Sequence, residues 1–254
     1  MSTTPHPSLD AHKAEHTREA IRRRLREGPR PSYLRDFIYG AIDGAVTTFA
    51  VVSGVAGAGL GANVIIILGV ANLFADGFSM AVSNFLGTRA EQQQRARAKR
   101  IEKAHIKQHP EGEKEEIRQI FRAKGFDGDD LERAVEIITA DRDRWVQTML
   151  TEEFGLSLKG PVAWKAGLAT FIAFVVIGAI PLLTFIADAI APGAIPAPFA
   201  VSAAMTGIAF FVVGMGKSRF VDEHWLRAGL ETLAIGGVAA ILAYLVGATL
   251  GGLA

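Results

Sequence analysis

The sequence predicts an all-α, polytopic membrane protein with five transmembrane helices and a small helical domain inserted between the second and the third. Three observations carry this expectation. Half of the 254 residues are hydrophobic, they gather into long blocks, and strongly charged segments separate the blocks. A membrane-spanning helix needs about 20 mostly apolar residues to cross roughly 30 Å of hydrocarbon. Five blocks reach that length, at residues 37–60, 62–88, 162–190, 197–216 and 228–253.

Residues 1–36 form a basic tail, "HKAEHTREAIRRRLREGPRPSYLRD" in its larger part, with no apolar run of the kind a cleaved secretory signal needs. Ile21 and Leu25 sit amid its arginines, a pattern that suits a helix lying on anionic lipid as well as a solvated one. Residues 37–88 hold the first two spans, joined by "GAGLGAN", which is long enough only for a tight turn. Residues 89–160 are the insertion. Between Arg89 and Lys159 it carries 15 basic and 15 acidic side chains, with room for about three or four short helices. In "EKEEIRQIFRAKG", Ile117, Ile120 and Phe121 share a face and Gly125 is placed to end the helix. Leu131, Val135 and Ile138, then Trp145 and Met149, supply further apolar faces for a small core.

Residues 161–254 hold the third to fifth spans, with Pro192, Pro196 and Pro198 breaking the chain between the third and fourth. The connections near residues 58–62 and 188–198 carry no Lys or Arg, whereas the tail to Arg35 carries eight and the segment Lys217–Arg227 three. Because Lys and Arg stay on the cytoplasmic side, the N-terminus and the insertion are expected in the cytoplasm and the C-terminus on the opposite side. The compact chain and short tail favour a bacterial inner membrane. The chain has no cysteine, which excludes disulfides, thiolate metal sites and cysteine nucleophiles. No nucleotide loop and no nucleophile–base constellation is present, so neither an enzyme nor a nucleic-acid partner is expected.

An ionisable side chain at the centre of a membrane helix costs on the order of 3 kcal/mol and is a functional candidate by default. Asp43 lies about six residues into the first span, roughly 9 Å below its cytoplasmic end. Asp76 lies about 14 residues into the second, antiparallel span, again roughly 9 Å from the cytoplasmic end of a slab about 30 Å thick. The two carboxylates should share a level. Along the second span Asn72, Asp76, Met80 and Asn84 recur every four residues and form one stripe. A carboxylate, amide oxygens and a thioether make a mixed hard and soft ligand set that fits Fe²⁺ or Mn²⁺ better than Ca²⁺. With no Cys and no intramembrane His, a dedicated zinc or copper site is not expected. Two carboxylates in a dehydrated site can hold a proton between them and exchange it for a divalent cation, coupling metal and proton movement. The plainer readings are a helix-end carboxylate for Asp43, core packing for Met80 and interfacial positions for Asn84, Asp188 and Glu231. Gly40 and Gly44 have the spacing of a close backbone contact. Since five spans give few walls for a water-lined path, two copies are expected to pair with their first spans near the shared axis.

In the insertion, Glu102 and His105 are spaced i, i+3 with His109 one turn further on. Glu113 and Glu116 repeat that spacing, and Met149 and Glu153 are spaced i, i+4. Lys103, Lys107, Arg118 and Arg122 are interleaved, so the spacing alone reads as a solvated, ion-paired face. "DGDD" at 127–130 starts like a calcium loop, but the sixth position is Glu132 where that loop needs Gly.

The segments "DFIYGAIDGAVTTFAVVSGVAGAG" and "GVANLFADGFSMAVSNFLGTRAE" resemble the vacuolar iron transporter family, and the likeness extends over nearly the whole chain. The resemblance implies a homodimer in a lipid bilayer that carries Fe²⁺ and Mn²⁺ out of the cytoplasm in exchange for protons. Its path runs near the dimer axis, past an acid at Asp43 and a thioether at Met80. It further implies a metal-binding insertion using Glu102, Glu113, Glu116, Met149 and Glu153, with His105 where another Glu is expected. The second span departs from the plant-like members, which place Glu where this chain has Asn72 and a small residue where it has Asp76. The expected protein is therefore an iron and manganese transporter with no permanently bound cofactor, its metal sites formed by Asp43, Asn72, Asp76 and Met80 and by the insertion residues. A proton-coupled carrier of another solute and a membrane-anchored metal-binding sensor are the alternatives.

Overall fold

A computed structural model describes residues 13–14, 16–28, 31–219 and 223–253, which leaves part of the basic tail, including Arg30, outside the described residues. Among the described residues the chain is helical and contains no strand. A short helix α1 (Arg18–Glu27) is capped by Thr17, whose Oγ1 accepts from the Ala20 N–H at 3.3 Å. Then come α2 (Leu34–Gly57), α3 (Ala62–Gln108), α4 (Pro110–Ala123), α5 (Gly128–Thr139), α6 (Arg142–Glu152), α7 (Ala163–Gly178), α8 (Leu183–Ile190), α9 (Pro198–Lys217) and α10 (Trp225–Leu250). Five stretches are long and apolar enough to cross a membrane: α2, the first part of α3, α7 with α8, α9 and α10.

Two departures from the sequence expectation have clear causes. The second span does not stop at residue 88 but runs unbroken as α3 to Gln108, because the stretch after Gly87 is rich in Ala, Gln, Arg, Lys and Glu, all good helix formers. The third span is interrupted at Pro181, which lacks an N–H and cannot continue the helix. A 3₁₀ turn, Ile180–Leu182, links α7 to α8 there, and Ser202 Oγ on α9 donates to the Pro181 carbonyl at 2.6 Å.

The chain divides into two compact units, one of residues Met1–Leu86 with Ala163–Ala254, the other Gly87–Val162. In the first, α2 is the central helix: 56 % of its apolar stretch is buried inside the chain, against 6 % for α10. Its glycines set the packing distance. A Cβ on Gly44 would lie 2.4 Å from the Phe174 carbonyl oxygen of α7, and one on Gly57 would lie 2.3 Å from the Tyr244 carbonyl oxygen of α10. Only glycine admits backbones this close. The contact expected around Gly40 and Gly44 is thus made with α7 of the same chain. Phe49 and Val52 of α2 pack with Leu182, Phe185 and Phe210 in the core.

The second unit is built on its own core of Ala98 and Ile106 from α3, Ile117 from α4, Leu131 and Val135 from α5, and Trp145, Val146, Met149 and Leu150 from α6. Burying such a set removes a continuous apolar face from water, at about 25 cal/mol per Å². Gly125, at φ +95°, supplies the left-handed turn after α4, and its N–H bonds the Arg122 carbonyl. Asp141 caps α6, accepting from the Arg144 N–H at 2.7 Å.

Candidate metal sites

In the first unit α2 carries Asp43 and the antiparallel α3 carries Asn72, Asp76 and Met80. Asp43 is half-buried, and the Asp76 carboxylate is near enough for its charge to act on it. Asn72 and Met80 are half-buried on the same stripe, while Asp76 is exposed on the surface of the single chain. The Asn72 amide nitrogen is buried without a hydrogen-bond partner. A half-turn of the amide would put an oxygen in its place, so this group can serve an ion as an acceptor.

A polar group that sequence reasoning missed lies one helical turn before Gly40. Asp36 is 6 % exposed, because α2 starts at Leu34 and takes in what had been counted as tail. Its Oδ1 accepts from Asn84 Nδ2 on α3 at 3.1 Å. The same Nδ2 reaches Thr170 Oγ1 on α7 at 2.7 Å and the Ala166 carbonyl at 3.3 Å. Asn84 is thus a cross-helix brace joining α2, α3 and α7 rather than a member of the Asp76 set. The signal available in sequence was its four-residue register with Asp76 and Met80, which gave the face but not the partner. The other acids read as interfacial also have local partners. Asp188 accepts from the Gly193 N–H at 3.0 Å, and Glu231 pairs with Lys217 at 3.0 Å.

The second unit gathers a carboxylate cluster from α3, α4 and Glu153, the residue that ends α6. Glu102 on α3 is 1 % exposed and Glu113 on α4 is 6 % exposed; the two are hydrogen-bonded to each other, and Glu116 and Glu153 lie close enough to act on Glu102. His105 Nδ1 is 3.6 Å from Glu113 Oε1. Met149 is fully buried in the adjoining core. Burial first, then the shared hydrogen bond and the charge of Glu113, push the Glu102 carboxyl up to about 8. Burial and the neighbouring acids also raise Glu116 and Glu153, with His105 opposing the rise. One oxygen each of Glu102 and Glu113 is buried without a hydrogen-bond partner. Such acceptors inside a protein are costly unless a proton or cation satisfies them. Among the described residues no three His, Asp or Glu side chains already converge on one ligand position. His109 is not part of the cluster: α3 ends at Gln108, and His109 is the exposed residue preceding α4. Pro110 cannot continue α3 past it.

With this geometry in view, similarity to known proteins is informative. The VIT family pattern matches residues 34–248. A vacuolar iron transporter of Plasmodium falciparum is 31 % identical over 85 % of this chain and 82 % of its own length. One of Toxoplasma gondii is 32 % identical, covering 86 % of this chain and 74 % of its own. Vacuolar iron transporter 1 of Arabidopsis thaliana is 30 % identical over 83 % of each chain.

Proposed function

The chain belongs to the VIT family, and on that premise we propose that it is a membrane transporter that moves Fe²⁺ and Mn²⁺ out of the cytoplasm in exchange for protons. The observation that supports this reading is that the Asp76 carboxylate lies near enough to Asp43 for its charge to act on it, with Met80 and Asn72 on the same stripe of the span. The thioether favours a transition metal over Ca²⁺, and the oxygens suit Fe²⁺ and Mn²⁺. Two carboxylates in one dehydrated place exchange protons for a divalent charge at little electrostatic cost.

The inserted unit sits on the cytoplasmic side in this reading, with the N-terminus, because the Lys- and Arg-rich segments fall there and the C-terminus lies opposite. Its cluster of Glu102, His105, Glu113, Glu116 and Glu153 beside Met149 collects the cation before transport. The relatives are named for the vacuole. Export into a vacuole and export across a bacterial inner membrane are topologically the same movement. The transporter acts as a homodimer: Asp76 is exposed on the single chain, a position that costs on the order of 3 kcal/mol against lipid and is relieved when a second copy covers it.

The test is flux in proteoliposomes under an imposed pH gradient, with Fe²⁺ and Mn²⁺ in competition, repeated for Asp43→Asn and Asp76→Asn. Loss of flux in both variants is expected; full flux in both removes the mechanism. A sensor reading draws on the inserted unit having its own core. It predicts protein that binds Fe²⁺ but never moves it, with or without the gradient.

A further inference from the structure

The inserted unit has a concavity that none of the metal-site residues lines. Its volume is about 520 Å³, and its walls are α3 from Gln92 to Lys99, α6 at Gln147 and Leu150, and the loop of residues 156–160. Arg95, Lys99 and Lys159 all line it, and among the described residues its lining holds no carboxylate. Glu91, the acid nearest Arg95, is 4.0 Å away with a side chain 62 % exposed.

The walls are fixed by hydrogen bonds. Gln92 Nε2 donates to the Pro161 carbonyl at 2.7 Å, and Ser157 Oγ donates to the Lys159 carbonyl at 2.7 Å. The Leu156 N–H donates to the Leu150 carbonyl at 2.9 Å, tying the loop to α6. Gly160 leaves room for the guanidinium: a Cβ there would lie 2.4 Å from Arg95 Nη2. Arg95 and Lys99 are one turn apart and project from one side of α3. A planar guanidinium fork and an ammonium converging on one concavity form the donor set that recognises phosphate.

We infer that this concavity is a phosphate-binding site, filled by the headgroup of an anionic lipid or by a free phosphate. Leu150, Leu156 and Leu158 also line it, which gives a lipid's glycerol and upper acyl carbons an apolar wall that free phosphate does not use. In the sequence, Gly160 comes three residues before Ala163, where the membrane-spanning α7 begins.

The full-length protein tests both sources. In one arm, purified protein in detergent is titrated with inorganic phosphate by calorimetry. In the other, protein is taken from vesicles of phosphatidylcholine with and without phosphatidylglycerol, and the lipids it retains are identified by native mass spectrometry. Arg95→Gln and Lys99→Gln are compared with wild type and with Arg97→Gln, which removes a charge from α3 outside this concavity. Each lost charge-assisted bond weakens binding roughly tenfold or more. Retained phosphatidylglycerol that is lost in the two variants but not in Arg97→Gln assigns the headgroup; phosphate heat lost in the same pattern assigns free phosphate. Should Arg95→Gln unfold, Lys99→Gln, whose side chain is exposed, decides. Binding in neither arm, or equal binding by all four proteins, overturns the proposal.

Discussion

Glu102 offers the sharpest test of the proposed cation-collecting cluster. At about 8 its carboxyl is almost entirely protonated at pH 6, and a cation that uses it must displace that proton. Apparent affinity then falls about tenfold for each pH unit below 8, or roughly fiftyfold from pH 8 to pH 6, from this proton alone. Glu116 and Glu153, both raised, steepen the loss at lower pH. Glu102→Gln keeps the shape and a hydrogen-bonding oxygen but carries no titrating proton. At pH 8 the variant should bind Mn²⁺ about ten- to a hundredfold more weakly, and the two curves should converge toward pH 6. Calorimetry of full-length protein in detergent, in two buffers of different ionisation heat, counts the protons released. The difference between wild type and variant isolates the inserted unit, since the membrane residues are common to both.

The same shift sets a sign for stability. The folded value lies above the ordinary 4.5, so the native state holds an extra proton between about pH 4.5 and 8. The stability that proton confers is complete below the unfolded value and is lost as pH rises through 8, a change on the order of a few kcal/mol. Metal-free Glu102→Gln should therefore melt near wild type at pH 4 and progressively above it toward pH 8.5. Parallel melting curves across that range, or a Mn²⁺ affinity with the same pH slope in both proteins, would refute the account of Glu102.

Met80→Leu is close to volume-neutral and should cost under about 1.5 kcal/mol in stability while lowering Fe²⁺ and Mn²⁺ flux about tenfold or more; unchanged flux would return Met80 to a packing role. Gly44→Ala puts a Cβ 2.4 Å from the Phe174 carbonyl oxygen and should lower the melting temperature through about 1–3 kcal/mol of overpacking. Gly61→Ala, where a Cβ meets nothing within 4 Å, is the control and should melt like wild type. Asn84→Ala withdraws the Nδ2 donor from buried Asp36 and should cost about 1–3 kcal/mol, read by thermal unfolding in detergent. Because the chain has no cysteine, Ser79→Cys, exposed on α3 beside Met80, should give a crosslinked dimer on oxidation in the membrane, whereas Ile241→Cys on α10 should stay monomeric.

The five apolar spans were legible because membrane thickness imposes a length that composition alone reveals. The nearness of Asp76 to Asp43, close enough for charge to act, follows from the sequence because two antiparallel helices convert residue counts into depth. Asp36 was missed for a related reason: counting apolar residues starts the first span at 37, while the helix itself begins at Leu34. Hydropathy sees where water ends, not where hydrogen bonding begins. The run of α3 to Gln108 was hidden by the same bias, since charge marks the membrane boundary without breaking a helix. Pro181 was visible in the sequence, yet its break was lost inside an unbroken apolar block. The Glu102–Glu113 contact joins residues on separate helices around His109, a relation that spacing along one helix cannot express.

The register of α3 gives a physical sense to the departure that the family resemblance implies at Asn72 and Asp76. Moving an acid four residues along a helix keeps it on nearly the same face and shifts it about 6 Å along the axis. In the orientation proposed, that shift is toward the cytoplasm, to the level of Asp43, and it leaves a neutral amide one turn nearer the far side. In the proposed mechanism a cation entering past the Met80 thioether would meet both carboxylates at one counted depth, where their two charges would offset its own. On that proposed path the next group would be Asn72, whose dipole binds a divalent ion far less strongly than a carboxylate does. Affinity would then fall in the proposed direction of travel once protons reclaim the two acids. On this proposal an Asn72→Glu substitution inside the stripe would place a third carboxylate beyond the pair and hold the ion where the Asn72 amide would release it.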